Sequence, residues 1–338
     1  MSLLQIENLG VSFHLEDEGD VEAVRGASLN LERGETVALV GESGSGKSVT
    51  ALSVLQLLPY PRASHPHGSI RFDSEELLHL PAEQMQELRG GRIAMVFQEP
   101  MTSLNPVLTV ERQLTETLQL HMGMSKVESQ RESVNLLTRV GIPDPESRIK
   151  QYPHQFSGGM RQRVMIAMAL SCNPRLIIAD EPTTALDVTI QAQILDLMKA
   201  LTTEFGVALI VITHNLGVVA RYADRVNIMY AGKVIERGNA HEIYSNPRHP
   251  YTVGLLRSVP RLDLPRKAKL DPIEGQPPDL INLPQGCSFR ERCRWAIDKC
   301  AMDTPELVEI GEGHLSACFR PEELGPEAID FLNAAETG

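Results

Sequence analysis

Short apolar runs, separated by helical and polar stretches, recur through the first two thirds of the chain. The clearest runs are residues 35–40, 92–97, 176–179 and 207–213. They are continuous and do not alternate with polar residues, as in parallel strands covered on both faces. Two further runs, 226–230 and 234–237, are separated by a short turn segment and predict a β-hairpin. The pattern therefore predicts an α/β domain.

Two regions depart from this alternation. Between residues 109 and 153 the sequence is helical and polar without a strand pattern, which predicts an all-helical insertion over about 100–174. Beyond residue 260, prolines at positions 265, 272, 277, 278 and 284 favour an irregular tail over a second core. We therefore expect a domain over residues 3–240 and a C-terminal extension over residues 241–338.

The octapeptide GESGSGKS, residues 41–48, lies between the run 35–40 and a helical stretch. Its glycines permit tight turns, so that backbone N–H groups and the following helix N-terminus can bind phosphate oxygens. Lys47 adds a charge for the β- and γ-phosphates, and the Ser48 hydroxyl can ligate Mg²⁺. The pattern G-x-x-x-x-G-K-S therefore predicts a nucleotide site. Its candidate residues are Gly41, Ser43, Gly44, Ser45, Gly46, Lys47, Ser48 and Val49.

The second half of such a site is expected where an apolar strand ends in acidic residues. The run 176–179 leads directly into Asp180 and Glu181. At a strand end, Asp180 can hold Mg²⁺ through water, and Glu181 can polarise the attacking water. An ordinary strand followed by an exposed acidic pair has the same pattern. The phosphate loop is what favours the catalytic interpretation.

Composition and charge narrow the function classes. The 338 residues are 42% hydrophobic and carry a net charge of −12. The acidic balance argues weakly against a nucleic-acid-binding protein, which usually has a basic face. No stretch approaches the roughly 18 apolar residues of a membrane span, and the N-terminus does not resemble a signal peptide. We expect a cytoplasmic protein whose membrane work depends on partners.

Four of the five cysteines lie near the C-terminus with the spacing C-x5-C-x6-C-x17-C: Cys287, Cys293, Cys300 and Cys318. In a reducing compartment such a cluster indicates a metal site more than a pair of disulfides. The spacing lacks the C-x2-C knuckles of common zinc ribbons, and four thiolates also suit a [4Fe–4S] cluster. The spacing alone leaves zinc, iron–sulfur, and unrelated thiols or disulfides open.

Residues 156–160, Phe-Ser-Gly-Gly-Met, resemble the L-S-G-G-Q signature of the ATP-binding cassette (ABC) family, with Phe156 and Met160 as departures. Ser157 can cap the following helix, and two glycines leave its positive end open to an anion. With the phosphate loop and the acidic strand end, the resemblance covers residues 3–240. It implies a P-loop NTPase fold with a RecA-like core and a helical subdomain, here followed by a small irregular cysteine-rich C-terminal domain.

The resemblance also implies roles for single residues. Gln98 resembles the Q-loop glutamine, His214 the switch histidine that contacts the γ-phosphate, and Phe13 the aromatic residue that stacks on adenine. The segment 185–187 resembles the D-loop, which includes Asp187. The implied catalytic residues are Glu181, His214 and Gln98, the Mg²⁺ ligands are Ser48, Gln98 and Asp180, and the further nucleotide contacts are Ser157, Gly158, Gly159 and Asp187. The signature also implies a dimer in which it faces the phosphate loop of the other subunit.

Three segments, 152–160, 179–189 and 246–252, are similar to the oligopeptide/dipeptide importer ATPases. This resemblance implies an ATPase that powers peptide import within a heteromeric ABC transporter, on the cytoplasmic side of the inner membrane. Its implied cofactors are ATP, Mg²⁺ and a [4Fe–4S] cluster held by the four cysteines, with zinc as the alternative metal. Its implied partners are a second related ATPase, two permeases and an extracytoplasmic peptide-binding protein, and no nucleic acid.

Other functions remain open at this point. The same subfamily also serves nickel and glutathione importers. A soluble ABC protein acting on ribosomes or DNA is disfavoured, because such proteins usually carry two cassettes or long coiled-coil insertions, and this chain shows neither. The tail after residue 240 disfavours an exporter ATPase.

Overall fold

The computed structural model describes residues 2–16, 19–184, 186–219, 221–258 and 273–324. The chain divides into two compact units. The loop unit comprises Leu3–Asn30, Val37–Leu78 and the chain from Thr213 onwards. The helix-rich unit comprises chiefly Leu31–Thr36 and His79–Ile212.

The described strands and helices follow in chain order. The strands are β1 (Leu4–Leu15), β2 (Gly19–Leu31), β3 (Thr36–Val40), β4 (Ala63–Ser64), β5 (Ser69–Phe72), β6 (Glu75–Glu76), β7 (Ile93–Val96), β8 (Leu176–Asp180), β9 (Ala208–Thr213), β10 (Arg225–Tyr230), β11 (Lys233–Asn239), β12 (Val308–Gly311) and β13 (His314–Ser316). The α-helices are α1 (Lys47–Val54), α2 (Ala82–Leu88), α3 (Pro100–Ser103), α4 (Val110–Met122), α5 (Lys126–Arg139), α6 (Pro145–Arg148), α7 (Gly158–Leu170), α8 (Val188–Phe205), α9 (Leu216–Val219), α10 (Ala240–Ser245), α11 (Pro250–Arg257) and α12 (Lys299–Met302). Short 3₁₀ helices span Pro153–Gln155 and Arg290–Arg292.

The helix-rich unit contains the parallel strands β7, β8 and β9, with β8 in the middle. Every residue of β8 and β9 is buried. Burial on both faces explains the continuous apolar runs, because neither face alternates with solvent. The predicted strands 92–97, 176–179 and 207–213 are confirmed to within a residue at their ends.

Between β7 and β8 the chain forms helices, as the polar and helical pattern predicts. Thr109, Ser125 and Ser157 are the N-caps of α4, α5 and α7, and each side chain accepts a backbone N–H of the first turn. Ser125 and Glu128 complete a reciprocal capping box at α5. Helix α4 packs against α5, and α5 packs against α7. No described residue between β7 and β8 belongs to a strand.

The loop unit contains an antiparallel sheet in the order β2-β1-β5-β6, with β4 paired to β1. It also contains β3, which runs parallel to β10, and the antiparallel hairpin of β10 and β11. Ala231 and Gly232 turn this hairpin with φ values of 45° and 78°. Two positive φ values are typical of the type I′ turn, whose twist matches the paired strands. The predicted hairpin is confirmed.

The C-terminal extension contributes to this sheet, contrary to the prediction of an irregular tail. Strand β13 pairs antiparallel with β11, and β12 pairs antiparallel with β13. Both strands are short, at four and three residues, and they follow the proline-containing stretch on which the prediction rested. Of the prolines behind that prediction, those at 265 and 272 lie outside the described residues. Within the described residues, no helix is long and apolar enough to cross a membrane.

Candidate nucleotide site

The phosphate loop connects β3 to α1 in the loop unit. Gly41 follows β3, and a Cβ atom there would lie 2.2 Å from the carbonyl oxygen of Met229. Gly46 is the N-cap of α1 with a φ of 101°, and its Cβ would lie 2.7 Å from the carbonyl oxygen of Ala23. Both positions require glycine. The loop can therefore fold tightly and leave its N–H groups close to a ligand.

Lys47 is buried within this loop. Its Nζ donates to the carbonyl oxygens of Gly41 and Glu42, each at 2.8 Å, and to Ser45 Oγ at 3.3 Å. These acceptors place the ammonium group at the first turn of α1, where the helix dipole also favours an anion. Among the other predicted loop residues, Ser43 and Gly44 are exposed, Ser45 is buried, and Ser48 and Val49 are half-buried.

Two more predicted residues belong to the loop unit. His214 is exposed and directly follows β9, and the Gly41 N–H donates to the carbonyl oxygen of Thr213 at 3.4 Å. The residue before His214 is thus tied to the start of the phosphate loop. Phe13 is half-buried on β1, opposite Ala63 of β4. The roles of His214 and Phe13 toward a nucleotide stay predictions.

The acidic end of β8 forms a second group, in the helix-rich unit. Asp180 is the buried last residue of the strand, and the Glu181 N–H donates to the Ile212 carbonyl oxygen at 2.9 Å. The Glu181 carboxylate accepts Gln98 Nε2 at 3.1 Å and Thr184 Oγ1 at 2.7 Å, both through Oε2. The structure therefore brings the predicted residues Gln98 and Glu181 into direct contact. Thr184 adds a contact that the sequence reasoning missed, although it lies only three residues from Glu181.

The signature-like segment begins α7. Ser157 is exposed, and its Oγ accepts the Met160 N–H at 3.3 Å, as expected for an N-cap. Gly158 is exposed and Gly159 is half-buried, so the positive end of the helix faces solvent. Phe156, which replaces the usual leucine, is buried. The segment therefore keeps the open helix end that an anion could approach.

Asp187 of the D-loop-like segment caps α8. Its Oδ1 accepts the Ile190 N–H at 3.0 Å. Gln191 secures the preceding turn by donating to the carbonyl oxygens of Thr183 and Leu186. The structure thus assigns Asp187 a helix-capping contact, while its predicted nucleotide contact stays a prediction. Ala185 of the same segment lies outside the described residues.

Two other side chains, from the C-terminal extension, reach the phosphate loop and were missed by the sequence reasoning. Arg292 forms an ion pair with Glu42, and Tyr251 accepts the Glu42 N–H. No local pattern could have found these contacts, since Glu42 and Arg292 are 250 positions apart.

The prediction of an iron–sulfur cluster is wrong. The four predicted ligands line one small cavity of about 20 Å³, together with aromatic side chains such as Phe289, Trp295 and Phe319. Yet the described part of the chain holds no group of three or more His, Cys, Asp or Glu side chains that could bind a metal ion. Zinc, the alternative metal, needs such a group as well and gains no support.

Three of these cysteines have thiol pKa values that are raised by burial. Burial raises the pKa of Cys293 to about 12 and that of Cys318 to about 11. Burial also raises the pKa of Cys287. The sequence shows the number and spacing of the cysteines, but not the burial that shifts the pKa values of these three.

Comparison with known proteins agrees with this geometry. Residues 24–184 match the family model of the ABC transporter, and residues 235–300 match that of the oligopeptide/dipeptide transporter C-terminal region. The chain is 52% identical to the dipeptide transport ATP-binding protein DppD of Bacillus subtilis, over 97% of each chain. It is 51% identical to the oligopeptide transport ATP-binding protein OppD of Escherichia coli, over 95% of this chain and 94% of that protein.

Solved structures support the same fold. A dimeric ATP-binding cassette in a post-hydrolysis state, bound to ADP and Pi, superposes with a TM-score of 0.63 at 28% identity. The match covers 70% of this chain and 98% of the cassette.

Proposed function

Because this chain belongs to the ATP-binding proteins of ABC transporters and is an ATPase, we propose that it powers the import of di- and oligopeptides. The relatives of about 50% identity are named as dipeptide and oligopeptide transport ATP-binding proteins. The match to the C-terminal region of such transporters supports the same substrate class. The nickel and glutathione importers are the alternatives within this branch.

The phosphate loop is the observation that carries the proposed ATP site. Its glycines exclude side chains from the turn, and Lys47 places its ammonium group at the N-terminus of α1. This is a cradle of N–H donors and one cation, which fits the triphosphate of a nucleotide. The proposed loop contacts are residues 41 and 43–49, with Phe13 stacking on adenine and His214 contacting the γ-phosphate.

The acidic strand end supplies the proposed hydrolytic chemistry. Glu181 polarises the attacking water. Gln98 donates to the Glu181 carboxylate and helps to orient that carboxylate. The proposed Mg²⁺ ligands are Ser48, Gln98 and Asp180. When bound, Mg²⁺ neutralises charge that develops on the phosphate oxygens. An oxygen-donor set of hydroxyl, amide and carboxylate groups suits this hard cation.

The open end of α7 supports a proposed dimer. Ser157, Gly158, Gly159 and Asp187 contact the nucleotide bound by the phosphate loop of a second subunit. An exposed, Ser-capped helix end with glycines favours an anion brought by a partner. The related cassette that superposes on this chain is itself dimeric.

Membrane permeases are the partners that an ATPase of this family serves. The finer assembly is our proposal: a second related ATPase, two permeases and an extracytoplasmic peptide-binding protein, with this chain on the cytoplasmic side of the inner membrane. We also propose a division into an ATPase domain at 3–240, with its helical insertion over about 100–174, and a small C-terminal domain at 241–338.

Replacing Lys47 with alanine tests the ATP site. Loss of the buried ammonium group should abolish binding of a fluorescent magnesium–ATP analogue, while Lys150→Ala, at an exposed position of the helix-rich unit, should bind it as the wild-type chain does. Equal affinity of both variants would reject the proposed loop.

Copurification tests the proposed import function. The tagged chain, extracted from native membranes in mild detergent, should bring down two permeases and a second related ATPase. The binding protein of that system, screened against peptides, nickel and glutathione, should select peptides. Ribosomal or DNA-repair proteins in place of permeases would overturn the transport proposal, and selection of nickel or glutathione would overturn the peptide proposal.

A further inference from the structure

Glu42, the second residue of the phosphate loop, is held by a side chain from the C-terminal extension. Arg292 Nη1 lies 2.6 Å from Glu42 Oε2, and Nη2 lies 2.9 Å from Oε1. This is the paired, two-bond geometry in which guanidinium binds carboxylate most strongly. The side chain of Arg292 is 4% exposed and that of Glu42 is 30% exposed, so the pair is poorly screened by solvent.

The backbone of Glu42 is held as well. Its N–H donates to the hydroxyl oxygen of Tyr251 at 2.7 Å. Tyr251 is fully buried, and burial raises the pKa of its hydroxyl, which therefore stays neutral. Its ring packs on Tyr230 and Phe289, with centroids 4.6 and 5.4 Å away. The hydroxyl is thus presented to Glu42 from a rigid aromatic cluster.

Arg292 is also fixed from behind. Its guanidinium donates to the carbonyl oxygen of Glu274 at 3.1 Å and to the hydroxyl of Tyr230 at 3.3 Å. It lies over the rings of Tyr230 and Phe289 at 5.8 Å from each centroid. These contacts give the guanidinium partners besides Glu42, so that it can serve as a fixed point for the loop.

The backbone carbonyl of Glu42 contacts Lys47, the predicted phosphate ligand. Its carbonyl oxygen accepts Lys47 Nζ at 2.8 Å. Glu42 therefore joins Arg292 and Tyr251 on one side to Lys47 on the other. The Glu42 carboxylate would also repel a triphosphate bound nearby. A positive partner such as Arg292 reduces this repulsion.

We propose that Arg292 and Tyr251 are positioning residues for ATP binding, which hold and neutralise Glu42 so that the loop can accept a nucleoside triphosphate. This inference rests on the proposed ATP site. It gives the C-terminal extension a direct part in ATP affinity. Neither residue touches the nucleotide in this account, and both act through Glu42.

The test compares the dissociation constant of a fluorescent magnesium–ATP analogue among variants of the full chain. Arg292→Ala should raise this constant about fivefold or more, the lower end of coupling between two sites. KM for ATP should rise in parallel while kcat is largely kept, because the lost interaction acts on binding. Arg294→Ala is the matched control in the same segment, where the guanidinium lies over Trp295, and it should bind as wild type.

The double variant Glu42→Gln with Arg292→Ala separates the proposed route from general damage. Removing the unpaired carboxylate should recover most of the lost affinity, as a coupled pair requires. No recovery would overturn the inference, because the effect of Arg292 would then not pass through Glu42. Tyr251→Phe, which keeps the ring and removes only the hydroxyl, should weaken binding less and serves if Arg292→Ala does not fold.

The Lys47→Ala variant distinguishes the two proposals. If Lys47→Ala abolishes binding and both Arg292→Ala and Tyr251→Phe bind as wild type, the ATP site stands and only the positioning role fails. If Lys47→Ala itself binds as wild type, the proposed site fails, and the positioning role falls with it.

Discussion

Glu181 has a φ of 44°, in the left-handed region that residues with a side chain rarely adopt. Such a conformation costs on the order of 1–3 kcal/mol and is found preferentially at functional sites. Here the Ile212 carbonyl oxygen, Gln98 and Thr184 all bond to Glu181 and hold it. A residue at a strand end could adopt a backbone conformation of lower energy. The retained strain supports the catalytic role proposed for this carboxylate.

Glu181→Gln tests that role at the residue scale. The amide is nearly the same size but cannot polarise water as a base, so steady-state ATP hydrolysis should fall about 100-fold or more. Binding of magnesium–ATP should be kept. Glu204→Gln, which alters an exposed carboxylate paired with Arg139, should hydrolyse ATP normally. Steady-state turnover near the wild-type rate in Glu181→Gln would rule out the assignment.

The buried thiols make a second residue-scale prediction. The pKa of Cys293 is raised to about 12 and that of Cys318 to about 11, above the unfolded value of about 8.5. Above pH about 9 the unfolded chain therefore binds fewer protons at these groups than the folded chain. By linkage, the free energy of unfolding should fall as pH rises above about 9 and should be insensitive to these groups below it.

Alkylation by iodoacetamide measures the same property directly. At pH 8, Cys293 and Cys318 should react much more slowly in the native chain than in the chain unfolded in guanidinium, since the thiolate is the nucleophile. Replacing Cys293 with alanine should reduce the alkaline loss of stability. Equal alkylation rates in the native and unfolded chains would show that the thiols are not held protonated.

At the scale of single elements, the helix N-termini allow a matched comparison. Ser125 caps α5 and Ser157 caps α7, and each Oγ accepts a backbone N–H at 3.3 Å. Both helices belong to the helix-rich unit, and both caps are exposed. Only α7 begins with the signature-like glycines. The two serines thus separate a structural contribution from the proposed nucleotide contact.

Ser125→Ala and Ser157→Ala should each lower the free energy of unfolding by about 1 kcal/mol, the usual value of a lost N-cap. Urea denaturation measures this loss. ATPase activity should decrease in Ser157→Ala and stay unchanged in Ser125→Ala. If both variants lose activity equally, the effect is one of helix stability, and the nucleotide contact of Ser157 must be dropped.

At the scale of the whole molecule, the C-terminal extension is bound into the loop unit by buried polar contacts. Glu236 of β11 is fully buried, and its Oε1 accepts His314 Nε2 of β13 at 2.9 Å and the Arg248 N–H at 2.5 Å. Glu236 and His314 are 78 positions apart in the sequence, and β13 pairs with β11 beside them. The extension is thus part of the fold of this unit.

His314→Ala should therefore destabilise the chain. It leaves the buried carboxylate of Glu236 with one fewer hydrogen bond, at a cost of about 1–3 kcal/mol. Chemical denaturation should show an earlier midpoint for His314→Ala than for His241→Ala, which removes an exposed histidine of the same unit. Coinciding midpoints would mean that the Glu236–His314 contact adds nothing to stability.

The sequence by itself determined the features that depend on neighbouring residues. Parallel strands appear as apolar runs because both of their faces are covered, as in β8 and β9. The phosphate loop is identified by eight consecutive residues, because its turns need glycine and its cation, Lys47, directly follows Gly46. The cap at Ser157 and the turn of the β10–β11 hairpin are equally local.

Tertiary structure decided what depends on residues that are far apart in the chain. It joined Arg292 and Tyr251 to Glu42, paired β13 with β11, and placed Gln98 on Glu181. It also brought the four cysteines to one small cavity, where burial raises the thiol pKa values of Cys287, Cys293 and Cys318. Burial and long-range contacts follow from the packing of the whole chain, and no local pattern of residue types encodes them.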